Sequence, residues 1–403
     1  MRVSAAVFLS VIASATPALA QGGAPATPTP ALTPPPTAVD GPPSLADEGD
    51  QASLLTALAR TRGYLASLPR RTLTVAGKAF PVETLRRAYE DFEAIVREQW
   101  GKPGFEAAVR ARFTWLPMPG RDPSGTVLFT GYYLPLLEAS EQPSEVFRYP
   151  LYAPPPDMIP LDLGAFRPSL AGQVAMARIK NGGIVPYHTR KEIDEGQALA
   201  GRGLEIAWVK DPTLRTSLMI QGSGVLRFPD GRLVNVLYAG QNGHVFVGGD
   251  QSRNPSYVFF RLGAEGPTGC DGVPLTGGRA IATDKRLFPT GSLAWISYPR
   301  ARFNARGQVE AFEQGGRFVL DQDTGGAITG PGRVDVFWGG GDDASRRAHA
   351  LNGTGRLWFL VPRDETTMPR PVPREEPAGT PPSGTPAQVP DGLPGRPDGY
   401  PEP

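Results

Sequence analysis

Among 403 residues there is one cysteine, Cys270, and there are three histidines, His188, His244 and His349. A lone thiol excludes an intramolecular disulfide framework and any zinc or iron–sulfur centre built on several thiolates. The histidines are far apart and form neither a His-x-His nor a His-Glu-x-x-His cluster, so no metal and no cofactor is expected. Excess charge of one sign is missing too. Lys and Arg number 41 against 40 Asp and Glu, a formal net charge of +1, and no basic block is available to hold phosphates, which argues against nucleic acid as a partner. Charged residues make up only 20% of the chain, whereas glycine (49) and proline (45) are abundant. That balance suits a turn-rich β protein better than a helical bundle. On a prior of ~150 residues per domain, the length calls for at least two folded units.

Long apolar runs are absent except at the start. Met1-Arg2 precede the run Val3 to Ala15, and Ala18-Leu19-Ala20 before Gln21 is an A-x-A cleavage pattern, so residues 1–20 read as a signal peptide. No other stretch approaches the ~20 apolar residues of a membrane helix, and no cysteine follows the cleavage pattern to carry a lipid. An exported, periplasmic protein without a lipid anchor is expected, with association to the outer membrane as the alternative. Residues 21–45 and 364–403 are rich in Pro, Thr, Gly and Ser with few bulky apolar side chains, too little to offset the entropy of ordering. They read as a Pro-rich linker and a Pro-rich tail.

Residues 46–116 carry a helical period: Leu54, Leu58 and Leu65 form one stripe, and Leu85, Tyr89, Phe92 and Val96 recur at i, i+4, i+7, i+11. This is a helical lead-in, with Trp100 and Trp115 packing it onto the next domain. After Pro117 come short apolar runs bounded by turn residues, at 126–133, 204–209, 225–228, 293–296, 317–320, 334–338 and 356–361. These read as strands, with helical interludes at 168–180 and 342–350. The fold class is mainly β, with barrels or related architectures and no parallel sheet.

The densest polar sequence is Asp321-Gln-Asp-Thr-Gly-Gly-Ala-Ile328, followed by Arg333-Val-Asp-Val-Phe-Trp338. Strand alternation puts Asp335 on one face with Arg333 and Phe337, while Val334, Val336 and Trp338 point the other way. Partial desolvation beside the ring raises the carboxyl pKa and favours a proton donor near neutral pH, and Arg333, if close, pushes the other way. The alternative for Asp335 is a carboxylate tied to backbone N–H groups at a strand end. Asp284, in Ala282-Thr-Asp284, is a third acid in a similar loop setting. Asp323-Thr-Gly325 is also the active-site triplet of aspartic proteases, but those need two such carboxylates and this chain has one triplet. Glycines in Gln221-Gly-Ser-Gly224 and Gly240-Gln-Asn-Gly243 would let a polymer approach the backbone. Gln221, Ser223, Gln241 and Asn242 offer hydrogen bonds suited to sugar hydroxyls and acetamido groups, and Tyr132 and Tyr133 offer rings for stacking. Ordinary turns and core aromatics are the alternative for each stretch.

Taken together, Phe129-Thr-Gly-Tyr-Tyr133, Gln221-Gly-Ser-Gly224, Tyr238-Ala-Gly-Gln-Asn-Gly-His244, Asn254-Pro-Ser-Tyr-Val-Phe-Phe260, Val273-Pro-Leu-Thr276 with Ala282-Thr-Asp284, and Asp323-Thr-Gly-Gly-Ala-Ile328 with Val334-Asp-Val-Phe337 resemble the membrane-bound lytic murein transglycosylase A family. The resemblance runs from about 120 to 362. It implies a double-psi β-barrel carrying the acid, a second β domain inserted before it, and a groove between them for peptidoglycan glycan strands. The expected domains are an MltA-type β domain at 117–260 and a three-aspartate barrel domain at 261–363. By the same resemblance Asp335 is the catalytic acid, and Asp323 and Asp284 are supporting acids. Substrate contacts are expected from Thr130, Tyr132, Tyr133, Gln221, Gly222, Ser223, Gly224, Gln241, Asn242, Gly243, Gly325, Gly326 and Trp338. The implied reaction is non-hydrolytic cleavage of the bond between N-acetylmuramic acid and N-acetylglucosamine, with formation of a 1,6-anhydro ring. Two departures stand out: a short segment between His244 and Asn254 where the family carries a longer insertion, and no lipidation cysteine. A peptidoglycan-binding protein without turnover, or a glycoside hydrolase using an Asp pair, are the alternatives.

Overall fold

The computed structural model describes residues 37–69, 71–247 and 251–363. The expected signal peptide, most of the Pro-rich linker and the Pro-rich tail lie outside the described residues. The lead-in comprises α1 (Gln51–Ser67), β1 (Thr72–Val75), β2 (Lys78–Pro81), α2 (Val82–Gln99), α3 (Phe105–Arg112) and β3 (Phe113–Pro117), and β4 (Val127–Leu134) follows. Next come β5 (Leu136–Ser140), β6 (Tyr149–Tyr152), β7 (Ile159–Asp162), β8 (Val174–Lys180), β9 (Gly183–Pro186), α4 (Arg190–Asp194), β10 (Glu205–Val209), α5 (Pro212–Gln221), β11 (Gly224–Arg227), β12 (Leu233–Gln241) and β13 (Val258–Gly263). The chain ends with β14 (Ala280–Ala282), β15 (Ser292–Phe303), β16 (Val309–Asp323), β17 (Arg333–Gly340), α6 (Asp342–Ala350) and β18 (Asn352–Pro362).

Strands β15-β16-β14-β17-β4-β18 pair in that order and β18 returns to β15, which closes a six-stranded barrel with β3 added outside β18. Closure removes the exposed strand edges that invite aggregation. Strand β4 pairs with β17 in parallel, Thr130 opposite Asp335 and Tyr132 opposite Phe337, and β14 pairs in parallel with β16. The sequence pointed away from a parallel sheet, and the barrel is accordingly mixed: these two pairings are parallel and its others antiparallel. Residues 127–134, which the sequence groups with the stretch 117–260, pair within the barrel sheet. Everything from β5 to β13 is the excursion, a six-stranded sheet in the order β13-β12-β11-β5-β10-β6 with the small sheet β7-β8-β9 beside it. Residues 168–180, expected to be helical, are a 3-10 turn and then β8, which turns into β9 through Asn181-Gly182, both at positive φ. A second unforeseen hairpin, β1–β2, turns through Ala76-Gly77, also at positive φ.

The insert has its own apolar core, while the lead-in and the barrel share another. Phe318 on β16 joins the latter, with Phe92 of α2 at 5.0 Å, Phe105 of α3 at 6.0 Å and Trp295 of β15 at 4.7 Å between ring centroids. Edge-to-face rings of this kind add to the area they bury. The Tyr89 hydroxyl accepts from Leu293 N–H at 2.8 Å and donates to Gly291 O at 3.1 Å. Arg279, ahead of β14, forms a buried ion pair with Asp47 at 2.6 Å. These contacts fix the barrel rim that carries the site. Among the described residues, no helix is long and apolar enough to cross a membrane.

Candidate active site

Asp335 sits mid-strand in β17 with 0% exposure. Its Oδ1 accepts from the Thr130 hydroxyl at 2.7 Å, and Arg333 Nη1 donates to that same Thr130 oxygen at 2.7 Å. Its Oδ2 finds no hydrogen-bond partner among the described residues. Burial pushes this carboxyl up to about 6, against the Arg333 guanidinium and the Thr130 hydroxyl, which favour the charged form. Asp323, at the end of β16, accepts from the Tyr132 hydroxyl at 2.6 Å. Burial raises its pKa as well, partly offset by Tyr132 and by the backbone N–H groups of Thr324 and Cys270.

A pocket of about 270 Å³ opens between barrel and insert. Tyr132, Leu134, Asp323 and Phe337 form its barrel wall; Gln221, Gly222, Ser223, Tyr238 and Arg261 form its insert wall; the loop from Pro267 to Gly272 closes one end. The rings of Tyr132 and Phe337 lie 5.1 Å apart. Asp323 borders this pocket, whereas Asp335 lies behind it on the same strand face as Phe337.

The other expected residues divide between wall and scaffold. The Gln221 side-chain oxygen accepts from Tyr133 N–H at 3.1 Å, which leaves its NH₂ group for the pocket, and Ser223 Oγ accepts from Tyr238 N–H at 3.2 Å. Gly222 ends α5 at φ +79, where only glycine is unstrained. Gly224 packs so tightly that a Cβ would meet Leu218 at 2.7 Å and Pro135 O at 2.8 Å. The Tyr133 ring lies against His349, 5.3 Å between centroids, and Gln241 ends β12 opposite Val258. Asn242 is spent on scaffold: its amide donates to His188 O and Pro255 O, both at 2.8 Å, and its oxygen accepts from Tyr257 N–H. Gly243 packs on Met176. Gly325 is buried and Gly326 exposed in the turn after β16.

Two expected residues stand apart from this pocket. Trp338 is absent from its lining. It belongs to the barrel core with Arg317 and Arg347 against its ring, at 5.0 and 5.7 Å, because alternation turns it away from Asp335 and Phe337. Asp284 does not join the other two acids. Its carboxylate takes two bonds from Arg286, at 2.9 and 2.6 Å, and one from Gly330 N–H at 2.8 Å. Those donors outweigh burial and hold its pKa below the usual value.

Three charged groups near Asp323 were not anticipated. Asp321, two residues earlier on β16, pairs with Lys285 and accepts from Thr283 at 2.7 Å, and burial pushes it up to about 6. Asp271, in the loop at the end of the pocket, is pushed by burial up to about 7, and its Oδ2 is unpartnered among the described residues. The i, i+2 spacing of Asp321 and Asp323 was the available signal, since it sets both on one strand face. Cys270 borders the pocket, and burial pushes its thiol up to about 12, which disfavours the thiolate.

A family model for the MltA specific insert domain matches residues 128–249, and a 3D domain model matches residues 279–361. Through these two models the chain matches the MltA family. Similarity within the MltA family extends to a membrane-bound lytic murein transglycosylase A of Vibrio cholerae, 28% identical over 356 residues, which cover 79% of this chain and 87% of the relative. The Escherichia coli K12 protein of that name is 29% identical over 304 residues, 65% of this chain and 74% of its own. Among solved structures, a membrane-bound lytic murein transglycosylase from Agrobacterium tumefaciens superposes with TM-score 0.61 at 27% identity, covering 78% of this chain and 94% of that one. Escherichia coli MltA with bound chitohexaose shares the fold, with TM-score 0.62 at 23% identity and coverage of 82% and 95%.

Proposed function

We propose that this chain is a peptidoglycan lytic transglycosylase, cleaving the β-1,4 bond between N-acetylmuramic acid and N-acetylglucosamine without water. The groove between barrel and insert takes the glycan strand, and Asp335 acts twice. Protonated Asp335 gives its proton to the glycosidic oxygen as the C1–O bond breaks, and N-acetylglucosamine leaves with a free 4-hydroxyl. The carboxylate then takes the proton of the C6 hydroxyl as that oxygen bonds to C1, which closes the 1,6-anhydro ring and restores the acid. A hydrolase needs a second carboxylate to activate water or attack carbon, whereas here the substrate supplies its own nucleophile. No cofactor is called for.

The observation that carries this reading is the Asp335 carboxyl, with Oδ1 held by Thr130, Oδ2 unpartnered and a proton affinity near neutrality. Asp335 has no exposed surface, so the side chains over it part when a strand enters, and the glycosidic oxygen becomes the partner that Oδ2 lacks. Asp323, held by Tyr132, serves as a supporting acid at the pocket wall, and Asp284 acts through the loop it anchors. Thr130, Tyr132, Gln221, Gly222 and Ser223 serve the glycan directly or through these acids. The names of the Vibrio cholerae and Escherichia coli relatives support the activity, and the chitohexaose of the Escherichia coli structure supports a glycan ligand. A double-psi assignment for the barrel is supported by its two parallel pairs, β14–β16 and β17–β4. A periplasmic location rests on the leader pattern of residues 1–20.

A second reading, hydrolysis by an Asp323–Asp335 pair, is favoured by one fact: Asp323, not Asp335, borders the pocket. Digestion of purified sacculi followed by product mass analysis separates the readings. The transglycosylase releases 1,6-anhydro ends, a hydrolase releases ends heavier by one water, and a binding protein sediments with sacculi and releases nothing.

A further inference from the structure

Of the side chains that line the pocket among the described residues, two carry charge: Asp323 on the barrel wall and Arg261 on the insert wall. Asp323 is buried and bound to Tyr132. Arg261 is exposed, on the edge strand β13 opposite Leu237. Its ion pair is a loose one, 3.5 Å to Glu265, with the two side chains 47% and 57% exposed. Such a pair holds the guanidinium weakly and leaves most of its five donors open. Gly263 lies beside it: a Cβ there would meet Leu237 Cδ1 at 2.7 Å and Arg261 Nη1 at 3.2 Å.

A polymer of N-acetylglucosamine alone is neutral and offers Arg261 nothing beyond hydroxyl and amide oxygens. In peptidoglycan every second sugar carries a lactyl ether that ends in a carboxylate or in a peptide bearing carboxylates. A planar guanidinium matches a carboxylate through two parallel N–H···O bonds. We infer that Arg261 forms a carboxylate subsite on the insert wall of the groove, which selects glycan strands with acidic lactyl or peptide arms over neutral ones. This rests on the glycan-cleaving reading of the same groove and adds a source of substrate selectivity.

The test measures binding by the full chain of three versions of one glycan: strands with stem peptides, strands stripped to the free lactyl carboxylate, and strands whose carboxylates are capped as methylamides. For Arg261→Gln the preference for acidic over capped strands falls by about fivefold, the scale of one exposed charge-assisted contact. Arg261→Lys retains part of it, and the preference of the wild type declines as salt rises. A loss confined to peptide-bearing strands assigns the carboxylate to the peptide, and a loss with both acidic strands assigns it to the lactyl group. Equal affinity changes for acidic and capped strands, or no change, overturn the inference while leaving the proposed activity intact. If the wild type neither binds nor cleaves any of the three, the proposed activity fails and the subsite with it. Thermal unfolding of each variant checks that an exposed substitution has not altered the fold.

Discussion

Thr130 donates its hydroxyl hydrogen to Asp335 Oδ1 at 2.7 Å from the neighbouring parallel strand, in direct register. Because Arg333 in turn donates to the same Thr130 oxygen at 2.7 Å, the charge of Arg333 reaches the carboxyl partly through a neutral hydroxyl. The carboxylate is thus stabilised on one oxygen only, while burial acts on both. That imbalance keeps the group protonated to higher pH than an ordinary aspartate.

The pH dependence of the reaction comes from this carboxyl. Asp335, raised to about 6, carries the proton needed for the first step below that pH and loses it above, so kcat/KM declines as pH rises through about 6. Thr130→Val removes a bond that favours the charged form and moves the decline upward by about one pH unit, the equivalent of one hydrogen bond to a carboxylate. Arg333→Gln moves it the same way. A pH–rate profile on a soluble glycan measures both, and a downward shift in either variant contradicts the assignment.

Stability carries the same signature with the sign fixed by linkage. A carboxyl whose folded pKa lies above its unfolded value contributes stability that is present below the unfolded pKa and lost as pH rises through the folded one. For Asp335 that window runs from about 4 to about 6. Asp335→Asn loses nothing across it, so its stability relative to wild type improves by up to about 3 kcal/mol between pH 4 and pH 8. Denaturant unfolding of the two proteins at both pH values checks this. A difference independent of pH would show that the carboxyl is not buried as a charge.

Asp284 is expected to behave in the opposite way. Arg286 and the Gly330 N–H hold its pKa below the usual value, so its contribution is present at neutral pH and fades as pH falls through its folded pKa. Asp284→Ala removes the anchor of the turn that joins β16 to β17 and costs about 1–3 kcal/mol at pH 7, the scale of the charge-assisted hydrogen bonds it removes. Its pH–rate profile keeps the wild-type shape, because no proton of the reaction passes through it. A displaced profile would return Asp284 to the catalytic group.

What the sequence made legible was local. The stripes Leu54/Leu58/Leu65 and Leu85/Tyr89/Phe92/Val96 are buried as expected, and α6 spans Asp342–Ala350, the interlude read from sequence. The misreading of 168–180 came from helix-forming Ala, Met, Arg and Lys, outweighed by the Asn181-Gly182 turn that sets the β8–β9 hairpin. Asp335, Asp323 and Tyr132 were picked out, yet their arrangement was not. Barrel closure joins β4 to β17 across some two hundred residues, and no local pattern records such a pairing. The burial of Asp335 is a product of that closure, as is the company that Lys285 and Asp321 keep with Asp323. Trp338 lies outside the pocket lining, as the strand alternation that turns it away from the acid implies.

The central claim is that one carboxyl, at position 335, serves as acid and then base. Its most direct test is the rate of release of 1,6-anhydro-muropeptides from purified sacculi by wild type, Asp335→Asn and Asp323→Asn, each shown to be folded. The account predicts a loss of about a thousandfold for Asp335→Asn, the scale of a general acid–base group. Asp323→Asn should be slower but still yield anhydro products. Wild-type release by Asp335→Asn, or loss confined to Asp323→Asn, would contradict it.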